Sequence, residues 1–336
     1  MRTILITAFL LLLPTYGCQW AHPKSSVPIN WAIAVHGGAG TMNPNAPPAR
    51  LKAYRDAMAA ALELGRSMLT DGASSLDVCE AVIRSLEDNP RFNAGKGAVF
   101  NEQGEHELDA SIMDGSTMQC GAVASVRTVK NPISLARKVM TDTRHVLLAG
   151  DGAEKFADVA GVARVENSYF DTDSRRRALD RLLREREKTG SLTPKDRRFD
   201  YGTVGCVVLD RSGRLAAATS TGGMTAKKWG RVGDTPILGA GNYADQTAAI
   251  SCTGTGEEFI RHAVARSVTA RMTLAGQSLD QAAHAVIHDV LKKGDGGLIA
   301  VDRDGNIATP FNSTGMYRGM ANSSGRFEVA VFHDER

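Results

Sequence analysis

Short apolar runs broken by tight turns, with helical stretches arriving in adjacent pairs, restrict the folds open to this chain. Residues 203–209 and 215–220 flank Asp210-Arg211-Ser212-Gly213, and residues 298–301 and 307–309 flank Asp304-Gly305. Both have the form of a β-hairpin, two strand-like runs joined by turn residues. Further strand-like runs lie at 31–35, 98–101, 107–113, 120–126, 145–149, 248–253 and 328–332. Leu51, Tyr54, Met58, Ala61 and Leu62 follow helical spacing up to a stop at Gly72. Ser74 with Asp77 forms a cap for a second helix carrying Val78, Val82, Ile83 and Leu86, which Asn89-Pro90 ends. Pro132 suits the first turn of a helix over 134–140, and 152–159, 259–272 and 279–291 also read as helices. Hairpins with paired helices predict an α+β fold in which antiparallel sheets pack between helix layers, not a doubly wound parallel sheet.

At 336 residues the chain has room for one large domain or two small ones. Forty Lys and Arg against 37 Asp and Glu leave a net charge of +3, spread along the chain. That argues against a nucleic-acid partner, which needs a concentrated basic face. The 34 glycines cluster in apolar-flanked groups, where backbone turns tightly or approaches something closely. Residues 1–20 stand apart: Arg2, an apolar run from Ile4 to Leu13, then Pro14. A bilayer span needs about 20 residues, so the run reads as a secretory signal peptide. Thr15-Tyr16-Gly17-Cys18 resembles a bacterial lipoprotein cleavage box, although an aliphatic residue is usual where Thr15 stands. Export to the bacterial periplasm is therefore expected, with Cys18 as the candidate lipid anchor. Cys79, Cys120, Cys206 and Cys252 form no CxxC pair, which speaks against zinc, and they read as free thiols.

Residues 166–200 are rich in Arg, Lys, Asp, Glu and Ser and read as an exposed, mobile linker, within which 175–188 could form a solvated helix. The linker opens abruptly onto Gly202-Thr203-Val204-Gly205. A threonine hydroxyl is a weak nucleophile unless a base takes its proton, and an N-terminal threonine carries that base in its own α-amine. With a reference pKa of about 7.7–8.0, part of such an amine is neutral near physiological pH. Thr203 could act in this way only after the chain breaks between Gly202 and Thr203. Alone, these four residues read better as a β-branched start to a strand.

Downstream, Thr219-Ser220-Thr221-Gly222-Gly223, Gly230-Arg231-Val232-Gly233-Asp234-Thr235-Pro236 and Cys252-Thr253-Gly254-Thr255-Gly256-Glu257 follow in order. With His36-Gly37-Gly38-Ala39-Gly40, Phe92-Asn93-Ala94-Gly95 and the run from Leu108 to Gly115, the chain resembles the plant-type L-asparaginase and isoaspartyl peptidase family of N-terminal-nucleophile hydrolases. The resemblance runs from about Trp31 to Tyr317. It implies an αββα four-layer sandwich and self-cleavage into an α subunit (21–202) and a β subunit (203–336) that together form one domain. It also implies (αβ)2 assembly and hydrolysis of L-asparagine and β-aspartyl dipeptides without a catalytic cofactor.

By that resemblance Thr203 is the nucleophile, Thr221 tunes its hydrogen bonding, and Thr253 and Gly254 form the oxyanion hole. Arg231 grips the substrate α-carboxylate, while Asp234 and the Gly256 carbonyl receive its α-ammonium. Asn93 sits beside the nucleophile. Backbone carbonyls of Leu86, Glu87, Asn89, Phe92, Ala94 and Lys96 are implied to ligate a structural sodium ion, a hard cation suited to oxygen ligands. Lys96 departs from the apolar residue that can stand there in the family. His36 reads as structural, because the mechanism already has a base. The alternatives are a glycosylasparaginase-like hydrolase, which differs in room for the leaving group, and a catalytically inactive secreted binding protein on the same fold.

Overall fold

The structure is a computed structural model that describes residues 29–40, 42–189 and 202–335. The expected leader and Cys18 lie outside the described residues. From the N-terminus, strand β1 (Ala32–Gly40) leads to helices α1 (Pro48–Thr70) and α2 (Ser75–Glu87). Strands β2 (Leu108–Asp114) and β3 (Cys120–Val126), helix α3 (Pro132–Asp142), strand β4 (Leu147–Ala149) and helices α4 (Gly150–Val159) and α5 (Asp173–Thr189) complete the first half. The second half opens with the hairpin β5 (Val204–Leu209) and β6 (Leu215–Thr221), then β7 (Asn242–Ala244) and β8 (Ala248–Gly254). Helices α6 (Gly256–Arg261), α7 (Val264–Ala275) and α8 (Leu279–Ala285) precede β9 (Gly296–Asp302), β10 (Ile307–Ala308), β11 (Gly315–Asn322) and β12 (Phe327–Ala330).

An eight-stranded sheet has the order β12-β11-β1-β5-β6-β2-β3-β4, and a four-stranded sheet the order β10-β9-β8-β7. Every pairing is antiparallel except β3 with β4. Side chains alternate faces along a strand, and that alternation separates three cores. Ile33, Val35, Val204, Cys206 and Val208 pack with Leu62, Val82, Ile83 and Ile133 under the first helix layer. Ala32, Ala34, Val207 and Leu209 face Ala249, Ile299 and Val301 between the sheets. Ile250, Cys252, Leu298 and Ala300 meet Phe259, Val268, Leu279 and Val286 under the second helix layer. The result is the expected αββα sandwich. Cys79, Cys120, Cys206 and Cys252 are free thiols, as expected.

Four local expectations need correction. Residues 98–101 form no strand, because the Val99 N–H goes to the Asn93 side chain and the Phe100 carbonyl to the Ala226 N–H. The helix expected over 259–272 breaks into α6 and α7 at Ala263, whose left-handed φ of 44° ends one helix before the other begins. Strand β4 is an exposed edge rather than a buried strand. Residues 167–189 are not a loose linker: Phe170 is buried, and Leu179 of α5 packs on Phe100 and Ala226 with Leu182 and Leu183 beside it. The rest of that stretch, residues 190–200, lies outside the described residues.

Candidate active site

Thr203 precedes β5 at the end of a buried strand, so the sheet fixes its backbone. Its carbonyl accepts a 3.0 Å hydrogen bond from His36 Nδ1, and His36 Nε2 lies 3.0 Å from Ser251 Oγ. Burial pulls the His36 pKa down to about 3, the Thr203 hydrogen bond opposing only part of the shift. The ring is therefore neutral at working pH and can donate through one nitrogen while accepting through the other. His36 holds the strand start in place, in keeping with a structural histidine.

The Thr203 hydroxyl lies 3.0 Å from that of Thr221, the last residue of β6. Thr221 Oγ1 also accepts the Gly223 N–H at 3.1 Å. On the other side of the Gly202–Thr203 peptide, the Asn93 N–H donates to the Gly202 carbonyl at 3.0 Å. The Asn93 side chain donates to Gly223 O at 2.7 Å and accepts from the Val99 N–H at 2.9 Å, which fixes the turn carrying it. Gly38, with φ of +106°, packs so closely on Gly202 that a Cβ would stand 2.5 Å from its Cα. Only glycine permits this contact.

Thr203, Thr221, Arg231, Asp234, Gly254 and Gly256 line one cleft, together with Met224, Thr255 and Glu257. About 20 Å³ of it is open, room for roughly one water. Thr253, at the end of β8, is fully buried and accepts the Ala39 N–H at 3.1 Å, which leaves its own proton able to donate. Gly254 has no room for a side chain, since a Cβ there would stand 2.0 Å from Asp295 O.

Arg231 is gripped by Glu257 through two 2.9 Å bonds, Nε to Oε1 and Nη2 to Oε2. Asp234 is buried with Oδ2 unpartnered, and burial raises its pKa to about 7 although Arg231 pulls it down. A Cβ on Gly256 would stand 2.8 Å from Arg231 Nη2 and 3.0 Å from Asp234 Oδ1. Bare backbone at Gly256 thus lies between a cation and a carboxylate.

The residues expected to ligate sodium form a turn after α2. A Cβ on Gly95, where φ is +48°, would stand 2.4 Å from Glu87 O, and one on Gly97 would stand 2.2 Å from Phe92 O. Only glycine lets the carbonyl oxygens of Glu87 and Phe92 come this close to the loop backbone, and backbone oxygens are the ligand type a hard cation takes. Lys96 does not disturb it, because its side chain leaves the loop to bond Tyr169 O and to lie over the Tyr169 ring. Two neighbours were not anticipated from sequence. Glu257 was read only as part of a motif, and Ser251 gave no signal beyond its place in a strand.

The asparaginase family profile matches residues 29–331. The chain belongs to the asparaginase family. It is 47% identical over 312 residues to the isoaspartyl peptidase of Escherichia coli (strain K12), covering 90% of this chain and 96% of that one. The isoaspartyl peptidase of Salmonella typhimurium is 48% identical over 292 residues, with 85% and 93% covered. The plant-type L-asparaginase of Pyrococcus abyssi is 43% identical over 296 residues, with 85% and 94% covered. The chain is an enzyme, and its chemistry is hydrolysis.

Proposed function

We propose that this enzyme cuts itself between Gly202 and Thr203 and then hydrolyses β-aspartyl dipeptides and L-asparagine with Thr203 as nucleophile. The observation that carries the reading is the placement of the Thr203 hydroxyl 3.0 Å from the Thr221 hydroxyl, directly after a peptide whose carbonyl is held by Asn93. In maturation, Thr203 Oγ adds to the Gly202 carbonyl carbon while the Asn93 N–H stabilises the oxygen. The C–N bond breaks, the acyl group passes to Oγ, and the nitrogen leaves protonated. Water hydrolyses the ester, giving a Gly202 carboxylate and a free Thr203 amine.

That amine takes the Oγ proton in turnover. Oγ attacks the side-chain amide carbon of the substrate, and the Thr253 hydroxyl and Gly254 N–H stabilise the oxyanion. An amino acid or ammonia leaves with the proton, and water releases aspartate. Arg231 takes the α-carboxylate, and Asp234 with the Gly256 carbonyl takes the α-ammonium. A sodium ion in the loop formed by Leu86, Glu87, Asn89, Phe92, Ala94 and Lys96 would stiffen the turn that presents Asn93. Export, a lipid on Cys18 and (αβ)2 assembly belong to the same proposal.

A panel of β-aspartyl dipeptides, L-asparagine and glycosyl-asparagine tests it on the matured enzyme. Turnover of the first two is expected, and Thr203→Ala should abolish both cleavage and turnover. Turnover of glycosyl-asparagine alone would overturn the substrate assignment. Absence of turnover with the whole panel would overturn the proposal.

A further inference from the structure

We infer that Glu257 is a positioning residue for the substrate clamp, holding the Nε/Nη2 edge of the Arg231 guanidinium so that its Nη1/Nη2 end lies beside the bare backbone of Gly233 and Gly256. The inference rests on the proposed role of Arg231 in binding an α-carboxylate.

A guanidinium presents five N–H donors in a planar fork. Glu257 takes two of them, one from Nε and one from Nη2, at 2.9 Å each. Both hydrogens of Nη1 and one of Nη2 remain, and one from each nitrogen forms the Nη1/Nη2 end of the fork. Gly233 lies against Nη1, where a Cβ would stand 2.9 Å away, and Gly256 against Nη2, where one would stand 2.8 Å away. Neither glycine puts a side chain against these donors, and a carboxylate would meet the fork end-on, through Nη1 and Nη2.

The arrangement also keeps Arg231 off Asp234. Asp234 is buried, its Oδ2 has no partner, and it attracts Arg231 electrostatically. Were the two to pair, the carboxylate site and the ammonium site would be lost together. Glu257 stands in the first turn of α6 directly after Gly256, so the segment that shapes the floor also carries the side chain that orients the clamp. Such preorganisation strengthens binding by reducing the ordering left to the ligand.

The test compares matured wild type with Glu257→Gln, Glu257→Asp and Glu257→Ala. It measures KM and kcat on a β-aspartyl dipeptide and the Kd of L-aspartate by calorimetry. In Glu257→Ala, KM and Kd should rise about tenfold, an effect of roughly 1.4 kcal/mol, with kcat changed less than about threefold. Glu257→Gln keeps an acceptor oxygen and should fall between it and wild type. Unchanged or lowered KM and Kd in Glu257→Ala would overturn the inference, a lowered value meaning that Glu257 competes with substrate for Arg231. A fall in kcat alone would overturn it too. If wild type binds L-aspartate but turns over no β-aspartyl substrate, the proposed function fails while the Kd comparison still decides the role of Glu257. If wild type does not bind L-aspartate, both fail.

Discussion

At the scale of single residues, chemistry depends on which polar groups are desolvated and what is left to satisfy them. Asp234 must be ionised to receive an ammonium group. Burial, with Glu257 and Asp109 adding like charge, raises its pKa to about 7 against the pull of Arg231. Its charged form is lost as pH falls through that value, so kcat/KM should drop on the acid side of about pH 7. In the complex the bound ammonium favours the carboxylate, so the acid limb of kcat should lie lower. Coincident limbs in the two pH profiles would contradict this assignment. Thr253→Val keeps the shape and removes the donor, and should lower kcat by about 10²–10³ with a smaller effect on KM. The residues that meet in the cleft were legible because each stands in a long motif: Thr203, Thr221, Arg231, Asp234 and Gly254. Glu257 was not, because its pairing with Arg231 joins a loop to a helix and has no local sequence pattern.

At the scale of elements, helix α5 changes how the middle of the chain is understood. Its charge predicted a solvated linker, yet three leucines on one face pack against Phe100 and Ala226. Arg175 Nε donates to Gly97 O at 2.8 Å, and Arg186 Nη1 reaches Ala226 O at 3.4 Å. The helix therefore braces the proposed cation loop and the loop leading to Arg231 at once. Burying a leucine contributes about 2–5 kcal/mol relative to alanine, so Leu179→Ala should loosen this brace. Its expected signature is a KM raised several-fold with the Gly202–Thr203 cleavage intact, and unchanged KM would count against it. The hairpins and the α2 cap were legible because turn and capping residues act locally. Strand β11 was missed: it carries Gly315, Gly319 and a buried Arg318, and only its pairing with β1 on one side and β12 on the other makes it a strand.

At the scale of the whole molecule, the proposed cut falls where the fold tolerates it. Strand β5 lies inside the eight-stranded sheet, between β1 from before the cut and β6 from after it. Strand β1 is in turn flanked by β5 and β11, both from the second half, and β2 pairs with β6. The two chains would remain woven into the shared eight-stranded sheet, each completing the other's hydrogen bonds. They should co-elute on native size exclusion and separate only under denaturation, and native separation would contradict the single-domain description. The layered class was legible from hairpins and helix pairs, whereas the strand order was not, because interleaving of early and late strands is decided by long-range pairing.

Intact-mass spectrometry of the purified protein after incubation tests self-cleavage before Thr203 most directly. The expected result is two chains, the second beginning at Thr203, with Thr203→Ala remaining a single chain. A wild-type protein that stays one uncut chain while hydrolysing β-aspartyl substrate would contradict it.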